Sequence, residues 1–383
     1  MEWEKRLDDA LAKRRAEGME RKLSTTKGMI DFASNDYLGL ARDPVLAANV
    51  RRRLSESAEP LGSGGSRLLT GNSSLAMILE ERLASFYHSG SALLFTSGYA
   101  ANIGLLSALP QRGDTVLYDE FSHACIKEGA RLSPARYFSY RHNDMDDLRK
   151  KVLAGKGQVV VVAESVYSMD GDTAPLGDMV QIARETGAGI ILDEAHSLGV
   201  AGHEGKGLAV EAGLPDEVIA RVYTFGKAMG SHGACVAASE TVVNYLINFA
   251  RSFIYTTALP AHSLMALSEA FTFFEKNAAK RHQLSENISY FNDVLTQNSG
   301  LFDDKRSGAG WLASESAIHA YVYPGNDPVR KLARFVQEAG YDVRPILSPT
   351  VKKGSERLRI CLHSFNTRGE IDRLFDLIKQ HNP

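Results

Sequence analysis

The stretch Tyr223-Thr224-Phe225-Gly226-Lys227-Ala228-Met229-Gly230 encloses one lysine between two glycines, directly after an apolar run that starts at Val218. Glycine has no side chain, so a ligand can approach the backbone closely on either side of the lysine. A lysine amine that is partly desolvated in such a place can form a Schiff base with a carbonyl compound. Lys227 is therefore the first candidate for a reactive residue.

A second stretch, Ile190-Ile191-Leu192-Asp193-Glu194-Ala195-His196, is a short apolar strand that ends in polar residues. Earlier in the chain, similar short runs at 92–95, 115–118, 137–140 and 158–163 alternate with amphipathic helical segments. Apolar strands joined by helical crossovers are typical of a mostly parallel sheet that is covered by helices on both faces. The sequence thus predicts the α/β fold class.

The carboxyl ends of parallel strands meet at one edge of a sheet, and ligands collect at that edge. Five polar segments follow predicted strands directly and are expected to lie there together: Ser97, 119–123, 165–170, 193–196 and 224–227. This clustering predicts one shared binding site.

The chain divides by its pattern into three parts. A helical segment at 3–17 and a short strand at 29–32 predict an N-terminal helix and arm over residues 1–40. The alternating region predicts a large domain over 41–262. Long helical segments at 261–297, followed by a few strands and two amphipathic helices, predict a smaller C-terminal α+β domain over 263–383.

The composition restricts the class of protein. The 383 residues are 44% hydrophobic and 23% charged, which is ordinary for a globular chain. A net charge of −2 gives no reason to expect nucleic acid or an anionic membrane as a partner. No apolar run approaches the roughly 20 residues of a membrane helix. The N-terminus lacks a signal-peptide pattern, and the three cysteines lack metal-ligand spacing. We therefore expect a cytoplasmic protein without a metal site.

Lys227 and Asp193 suggest pyridoxal 5'-phosphate as a cofactor, because that chemistry needs an amine and a carboxylate that keeps the ring nitrogen protonated. His196 follows Asp193 closely enough to donate to the phenolic oxygen of the ring. His123, after the strand that ends at Asp119, can stack on the ring face. We therefore expect Lys227 and Asp193 to hold opposite ends of one cofactor ring.

The phosphate of such a cofactor needs an anion site. Ser97-Gly98-Tyr99 opens a helix after a strand, and the free N–H groups of a helix N-terminus bind phosphate. Thr224 offers a hydroxyl to the same phosphate. The glycine-rich loop at 62–65 follows no strand and lacks the G-x-G-x-x-G spacing, which excludes a dinucleotide-binding interpretation.

Each of these residues alone also has a structural interpretation: a surface lysine, an acidic strand end, an N-cap serine or a core histidine. The combination of Lys227 with Asp193 at neighbouring strand ends is more specific than either residue. Arg344, Arg357 and Arg359, near the end of the chain, are the candidates for binding a substrate carboxylate.

At the level of motifs the chain resembles the α-oxoamine synthases, a family of pyridoxal-phosphate enzymes. The motifs cover nearly the whole chain in the order of the family, and they lie at 34–40, 62–67, 97–102, 122–124, 168–172, 193–199, 224–227 and 357–360. The resemblance implies a fold-type I pyridoxal-phosphate transferase that forms a homodimer with active sites at the subunit interface.

The resemblance also implies a role for each matching residue. Lys227 carries the cofactor and moves the substrate α-proton, Asp193 pairs with the ring nitrogen, and His123 stacks on the ring. The remaining implied contacts are Ser168 and His196 to the ring periphery, Gly98, Tyr99 and Thr224 to the phosphate, Thr256 or Thr257 of the partner subunit to the same phosphate, Asn35 with Arg359 or Arg344 to the amino-acid carboxylate, and Arg21 to the acyl chain.

The reaction implied by the most similar members is an acyl transfer. It is the decarboxylative Claisen condensation of L-alanine with a pimeloyl thioester, a step of biotin biosynthesis. Two alternatives inside the family join glycine to an acetyl group or serine to a palmitoyl group. A more distant alternative is a non-catalytic ligand sensor that keeps the cofactor fold. Whether coenzyme A or an acyl carrier protein carries the acyl group stays open.

Overall fold

The computed structural model describes residues 1–381 except positions 22, 24, 26, 27, 203 and 299–307. Its strands are β1 (Ile30–Asp31), β2 (Ser91–Phe95), β3 (Thr115–Asp119), β4 (Arg136–Tyr140), β5 (Val159–Glu164), β6 (Gly189–Asp193), β7 (Ala220–Thr224), β8 (Ala234–Ala238), β9 (Gly310–Trp311), β10 (Ile318–Val322), β11 (Tyr341–Asp342), β12 (Arg344–Ile346) and β13 (Arg357–Cys361).

The α-helices of the described residues are α1 (Glu2–Ala16), α2 (Pro44–Ser55), α3 (Ser74–Phe86), α4 (Gly98–Ala108), α5 (Ala124–Leu132), α6 (Met145–Ala154), α7 (Leu176–Thr186), α8 (Leu208–Glu211), α9 (Glu240–Phe249), α10 (Arg251–Ile254), α11 (Ala261–Lys276), α12 (Ala278–Gln297), α13 (Asn326–Glu338) and α14 (Arg368–His381). None of the helices in this part of the chain has the length and apolar character needed to cross a bilayer.

The larger sheet contains seven strands in the order β2-β8-β7-β6-β5-β3-β4. The pairs β7–β6, β6–β5, β5–β3 and β3–β4 are parallel, and β8 is antiparallel to both of its neighbours. Strand β2 therefore runs in the same direction as β7. As a result, β2, β3, β5, β6 and β7 all end at one edge of the sheet. The predicted α/β class with a mostly parallel sheet is confirmed.

Strand β5 shows why the sheet forms. Its valines are β-branched, which suits a strand that is buried on both faces. Val160 and Val162 pack with α4 and α5 on one face, whereas Val161 and Ala163 pack with α6 and α7 on the other. Successive side chains of a strand point to opposite faces, so one short run supplies both cores.

A second sheet of four antiparallel strands has the order β12-β13-β10-β9. Strands β1 and β11 form a separate parallel pair, in which Ile30 lies opposite Tyr341. The arm that follows β1 therefore begins next to β11, which belongs to the C-terminal part of the chain. It then reaches the larger sheet, because Phe32 and Tyr37 belong to the same apolar cluster as Tyr223.

The sequence prediction missed the elements between β7 and α11, which are β8, α9 and α10. Strand β8, Ala-Cys-Val-Ala-Ala, was not predicted, because small residues carry little strand signal and its place is set by pairing with β2 and β7 and by burial between the helices on both faces. The division into 1–40, 41–262 and 263–383 stays a prediction. In its favour, all strands of the larger sheet lie within 91–238 and those of the smaller one within 310–361.

His319 of β10 is a buried polar residue in an apolar core. Its ring lies 4.2 Å from that of Phe291 of α12, and neither ring nitrogen makes a hydrogen bond of normal geometry. Burial lowers the pKa of His319 to about 3. The imidazole is therefore neutral in the folded protein, whereas in the unfolded chain it takes up a proton near its ordinary pKa of about 6.5.

We predict that His319→Leu stabilises the protein, by about 1–2 kcal/mol at neutral pH, because it removes two unsatisfied nitrogens from the core. The gain grows as pH falls below 6.5, since only the unfolded wild type then binds the extra proton. Thermal unfolding of both apoproteins at pH 7.5 and pH 5.5 measures it. An equal or smaller gain at pH 5.5 would contradict the prediction.

Candidate active site

The predicted site residues come together at the edge where the parallel strands of the larger sheet end. Asp193 is the last residue of β6, and Lys227 lies three residues after β7. Glu164, at the end of β5, is in register with Asp193. The C-terminal β13 adds Arg359 from the smaller sheet. The site therefore lies where the two sheets face each other.

Lys227 is half-buried, and its Nζ lies 2.7 Å from Nε2 of His196. Burial lowers the pKa of Lys227, and Asp193 and Glu164 offset only part of that effect. Gly230 permits this placement. Its φ is +57°, and a Cβ there would lie 2.2 Å from the backbone nitrogen of Ala41. The pKa of Lys227 is thereby lowered to about 8, so this amine loses its proton more readily than an exposed lysine, as a nucleophile or base requires.

Asp193 is 7% exposed and receives two N–H donors. The backbone N–H of Ala195 donates to its Oδ1 at 2.8 Å, and Nδ2 of Asn102 donates to its Oδ2 at 2.7 Å. Hydrogen bonds of this kind stabilise the ionised carboxylate. The two donors hold both carboxylate oxygens of Asp193 in place, which suits a partner for a protonated ring nitrogen.

A chain of hydrogen bonds leads from Lys227 to the arm after β1. Nδ1 of His196 lies 2.7 Å from the Tyr37 hydroxyl, which donates to Oδ1 of Asn35 at 3.1 Å. Burial, followed by the charge of Lys227, places the pKa of His196 well below its usual value. His196 is therefore neutral. The consistent arrangement has Lys227 donating to Nε2 and Nδ1–H donating to Tyr37.

Arg359 is buried, and the groups that accept its hydrogen bonds are neutral. Its Nε donates to the Ser168 carbonyl at 2.6 Å, and its terminal nitrogens donate to Sγ of Cys361 at 2.9 Å and Oδ1 of Asn35 at 3.0 Å. Among the described residues no carboxylate lies within 4.0 Å of the Arg359 guanidinium. A buried cation without a carboxylate partner is costly, so this guanidinium is a candidate site for a substrate anion.

The other two candidate arginines already have carboxylate partners. Arg344 contacts Asp342, with Nε 3.0 Å from Oδ1, and its side chain is 41% exposed. Arg357 forms an ion pair with Asp170. The geometry therefore favours Arg359 for a substrate carboxylate.

The N-terminus of α4 has the form expected of an anion site. Oγ of Ser97 accepts from the N–H of Ala100 at 3.1 Å and caps the helix. The N–H groups of Gly98 and Tyr99, in the first turn, have no intrahelical acceptor. A Cβ on Gly98 would lie 3.3 Å from Oγ1 of Thr224, so glycine lets that hydroxyl lie against the helix end. The Tyr99 side chain itself is exposed and donates to Glu128.

His123 is exposed and forms the N-cap of α5. Its backbone N–H donates to the carboxylate of Glu164, and its Nδ1 accepts from the N–H of Cys125 at 3.2 Å. Burial, followed by the nearby Asp193 charge, raises the pKa of Glu164. The imidazole is thus held by its edge while its face stays open.

The loops that carry His123 and Ser168 are tied together by His142. Its Nδ1 lies 2.9 Å from Oδ1 of Asp119, and its Nε2 lies 2.7 Å from Oδ2 of Asp172. Burial lowers the pKa of His142, but the bonds to these two carboxylates outweigh it and raise the pKa to about 10. The imidazole is therefore cationic at neutral pH.

The remaining predicted residues are not brought to Lys227 within the chain. Arg21 is exposed between α1 and β1. Thr256 and Thr257 lie in the loop after α10, where the N–H of the next residue, Ala258, donates to the Gly65 carbonyl at 3.0 Å. No contact between either threonine and Lys227 is present among the described residues.

Sequence reasoning did not assign roles to Tyr37, Asn102 or Glu164. One sequence signal was available for Asn102, because an asparagine inside an apolar helix is unusual. Glu164 gave a similar signal as an acidic residue that ends a run of valines. Tyr37 lies in the motif at 34–40, but the motif did not indicate its contact with His196, which depends on how the arm after β1 crosses between the sheets.

Taken together, the groups fit pyridoxal phosphate: a desolvated amine, a carboxylate with two N–H donors, an open imidazole face and a helix N-terminus with a hydroxyl beside it. Across the described ranges, no cluster of three or more His, Cys, Asp or Glu side chains could hold a metal ion.

Comparisons with known proteins identify similar chains. The family model "Aminotransferase class I and II" matches residues 27–378. The 8-amino-7-oxononanoate synthase of Emericella nidulans is 40% identical, over 97% of this chain and 94% of that protein. The serine palmitoyltransferase of S. paucimobilis, solved with a PLP–myriocin aldimine, superposes with a TM-score of 0.85 at 27% identity, covering 98% and 96% of the two chains.

An 8-amino-7-oxononanoate synthase structure from Francisella tularensis superposes with a TM-score of 0.75 at 28% identity, covering 92% of this chain and 97% of that one. Its TM-score is lower than that of the serine palmitoyltransferase. The shared fold therefore does not separate these activities, and the distinction depends on sequence identity over the full length.

We predict that His142→Gln lowers the thermal midpoint of the apoprotein by on the order of 5 °C at pH 6.5, because it leaves two carboxylates without their cation. The folded pKa of His142 lies above its unfolded value of about 6.5. The stability that it adds is therefore complete below pH 6.5 and is lost as pH rises towards 10.

Comparing the midpoints of wild type and His142→Gln at pH 6.5 and pH 9.5 tests this: the difference should shrink at the higher pH. His319→Leu is the matched control, since the pH-dependent part of its effect arises below pH 6.5 and its difference from wild type should stay nearly constant between pH 6.5 and pH 9.5. A His142→Gln difference that stays constant over this range would argue that the ion pairs contribute nothing.

Proposed function

The chain belongs to the class I and II aminotransferase family and, within it, to the α-oxoamine synthases, and from this we infer that it condenses L-alanine with a pimeloyl thioester. The products are 8-amino-7-oxononanoate, carbon dioxide and the free thiol. The enzyme is a pyridoxal-phosphate-dependent acyltransferase of biotin biosynthesis. The observation that carries this is the 40% identity to an 8-amino-7-oxononanoate synthase over 97% of the chain, in which the lysine and carboxylate required by the cofactor meet at one edge.

We assign the cofactor contacts residue by residue. Lys227 binds the cofactor aldehyde, and Asp193 pairs with the ring nitrogen. The open face of the His123 imidazole stacks on one face of the cofactor ring. His196 contacts the phenolic oxygen of the ring, because its Nε2 already lies beside Nζ of Lys227. Ser168 lies at the periphery of the ring. Its backbone carbonyl accepts a hydrogen bond from Arg359.

The phosphate of the cofactor is assigned to the first turn of α4. The N–H groups of Gly98 and Tyr99 donate to it, and the positive end of the helix dipole favours its charge. Thr224 adds its hydroxyl from the end of β7.

The carboxylate of the amino acid is assigned to Arg359 and Asn35. Arg359 supplies a buried positive charge that no described carboxylate neutralises. Oδ1 of Asn35 already accepts from Arg359 and Tyr37, so its Nδ2 is the group left to donate to the substrate. Arg21, on the exposed segment after α1, is assigned to the acyl chain.

Bound pyridoxal phosphate supplies an electron-withdrawing ring that stabilises negative charge on the carbon next to the amine. Lys227 acts as the general base: its neutral Nζ takes the α-proton of alanine and later returns a proton to the product carbon. Asp193, held by Asn102 and Ala195, accepts from the protonated ring nitrogen. Arg359 fixes the carboxylate that is finally lost as carbon dioxide, and thereby sets the orientation of the α-carbon.

A second copy of the chain completes this proposal. Helix α1 has no buried residue and exposes Trp3, Leu7 and Leu11. Further apolar side chains with more than half of their surface exposed include Ile78, Phe249 and Tyr255. Burying such groups between two copies is favourable. In the dimer, Thr256 or Thr257 of one copy would then contact the phosphate held by the other.

The acyl donor is a thioester of coenzyme A or of an acyl carrier protein. We also propose a cytoplasmic location. In its support, all three cysteines are free and buried, as expected of a protein from a reducing compartment.

We predict that the purified protein absorbs near the visible edge of the spectrum and that L-alanine shifts this band. Lys227→Ala should lose the band, together with at least about 10³-fold of activity, because it removes both the cofactor-binding amine and the base. The assay compares alanine, glycine and serine with pimeloyl, acetyl and palmitoyl thioesters. Turnover of glycine or serine, without any of alanine, would reassign the enzyme to one of the other α-oxoamine synthase reactions.

Arg359→Lys should raise KM for alanine by about tenfold or more, because lysine cannot reproduce the planar, two-pronged contact of a guanidinium with a carboxylate. Arg344→Lys is the matched control, since Arg344 is already paired with Asp342. Steady-state kinetics at varied alanine concentration measures KM for both variants and for wild type. A larger effect from Arg344→Lys would show that the carboxylate binds at that arginine instead.

A further inference from the structure

Asn102 is an unusual residue for its position. It lies inside α4, 1% exposed, beside the fully buried apolar residues Ala101, Leu105 and Leu106. Asparagine is a weak helix former, and its amide needs hydrogen-bond partners when it is buried. Neither helix formation nor apolar packing accounts for an asparagine here.

Only one of the two polar atoms of the Asn102 side-chain amide has hydrogen-bond partners among the described residues. Its Nδ2 donates to Oδ2 of Asp193 at 2.7 Å and to Sγ of Cys125 at 3.4 Å. An ionised carboxylate only accepts, so the nitrogen must be the atom that faces Asp193. Oδ1 is buried without a hydrogen-bond partner in the described part of the chain. An orphaned buried oxygen destabilises the folded state, so stability alone does not explain this amide.

Cys125 extends the contact to His123. Helices α4 and α5 approach closely because Gly129 has no side chain; a Cβ there would lie 2.9 Å from Leu106 and 3.1 Å from the carbonyl oxygen of Asn102. Sγ of Cys125 lies 2.9 Å from Nδ1 of His123. Nδ1 also accepts from the N–H of Cys125, so a neutral imidazole carries its proton on Nε2.

We propose that Asn102 is a positioning residue that orients Asp193 and, through Cys125, the imidazole of His123. This inference rests on the proposed function, in which Asp193 meets the ring nitrogen and His123 lies on the ring face. The Asn102 amide thus uses its two N–H groups to orient two residues. These are Asp193, which pairs with the ring nitrogen, and His123, which stacks on the ring. Asn102 itself need not touch the cofactor.

The test measures cofactor binding by apoprotein and not only activity. Asn102→Ala and Asn102→Leu are compared with wild type by titration with pyridoxal phosphate, and the thermal midpoint of each apoprotein is recorded. We expect the dissociation constant to rise about tenfold to a hundredfold, which corresponds to losing one hydrogen bond to a charged group. The visible band of the bound cofactor should also change its pH dependence, because Asp193 loses a donor.

The matched control is Asn287→Ala. Asn287 is 2% exposed in α12 and donates to the carbonyls of His363 and Asn366. Removing it should lower the thermal midpoint and leave the dissociation constant of pyridoxal phosphate within about twofold of wild type.

The Cys125 pair tests the link to His123. Cys125→Ala should weaken cofactor binding more than Cys125→Ser, because serine keeps a group that hydrogen-bonds to both neighbours. The effect of Cys125→Ala should shrink in the Asn102→Ala background, as expected of residues in one network. This pair carries the test if the Asn102 variants do not fold.

Two outcomes overturn the inference separately from the proposed function. If wild type binds pyridoxal phosphate and Asn102→Ala binds it equally well, with only the midpoint lowered as in Asn287→Ala, then Asn102 is merely structural. If Cys125→Ala and Cys125→Ser bind equally well, the link to His123 is absent. Failure of wild-type apoprotein to bind the cofactor would instead overturn the proposed function itself.

Discussion

The site depends on removing the amine of Lys227 from water without giving it a full ion pair. Burial favours the neutral amine, and the charges of Asp193 and Glu164 oppose that effect without cancelling it. The neutral neighbour is His196, which is itself kept uncharged by burial and by Lys227. The reactivity of the lysine is therefore a property of the pocket, and the pocket exists only because several strand ends meet.

The two sheets supply different groups to the candidate site. The larger sheet supplies the amine and the carboxylates, at the ends of parallel strands that are buried on both faces. The smaller sheet supplies Arg359, a buried cation whose hydrogen-bond partners are neutral. The arm after β1 joins them, because Asn35 and Tyr37 connect Arg359 to His196. In the proposed function, a substrate that carries both an amine and a carboxylate spans these two groups.

Proteins named for different activities share the fold of this chain, which explains the pattern of similarity. A serine palmitoyltransferase superposes with a higher TM-score than the 8-amino-7-oxononanoate synthase structure, although the more similar sequences belong to the latter activity. The backbone positions the common chemistry of amine, ring and carboxylate. Substrate choice depends on side chains at the acyl and carboxylate ends, which a backbone superposition does not weigh.

The alternation of strands and helices up to β7, the mostly parallel sheet and the candidates Lys227, Asp193 and His196 followed from the sequence. Local patterns carry that information, since burial on both faces requires β-branched runs and parallel strands must end at one edge. The partners of those residues did not follow. Asn102 meets Asp193 across 91 positions, and Asn35 meets Arg359 across 324. The choice of Arg359 over Arg344 likewise depends on which arginine has a carboxylate beside it. Only the folded chain sets such contacts, because no short-range pattern records which distant side chain fills a given hydrogen-bonding position.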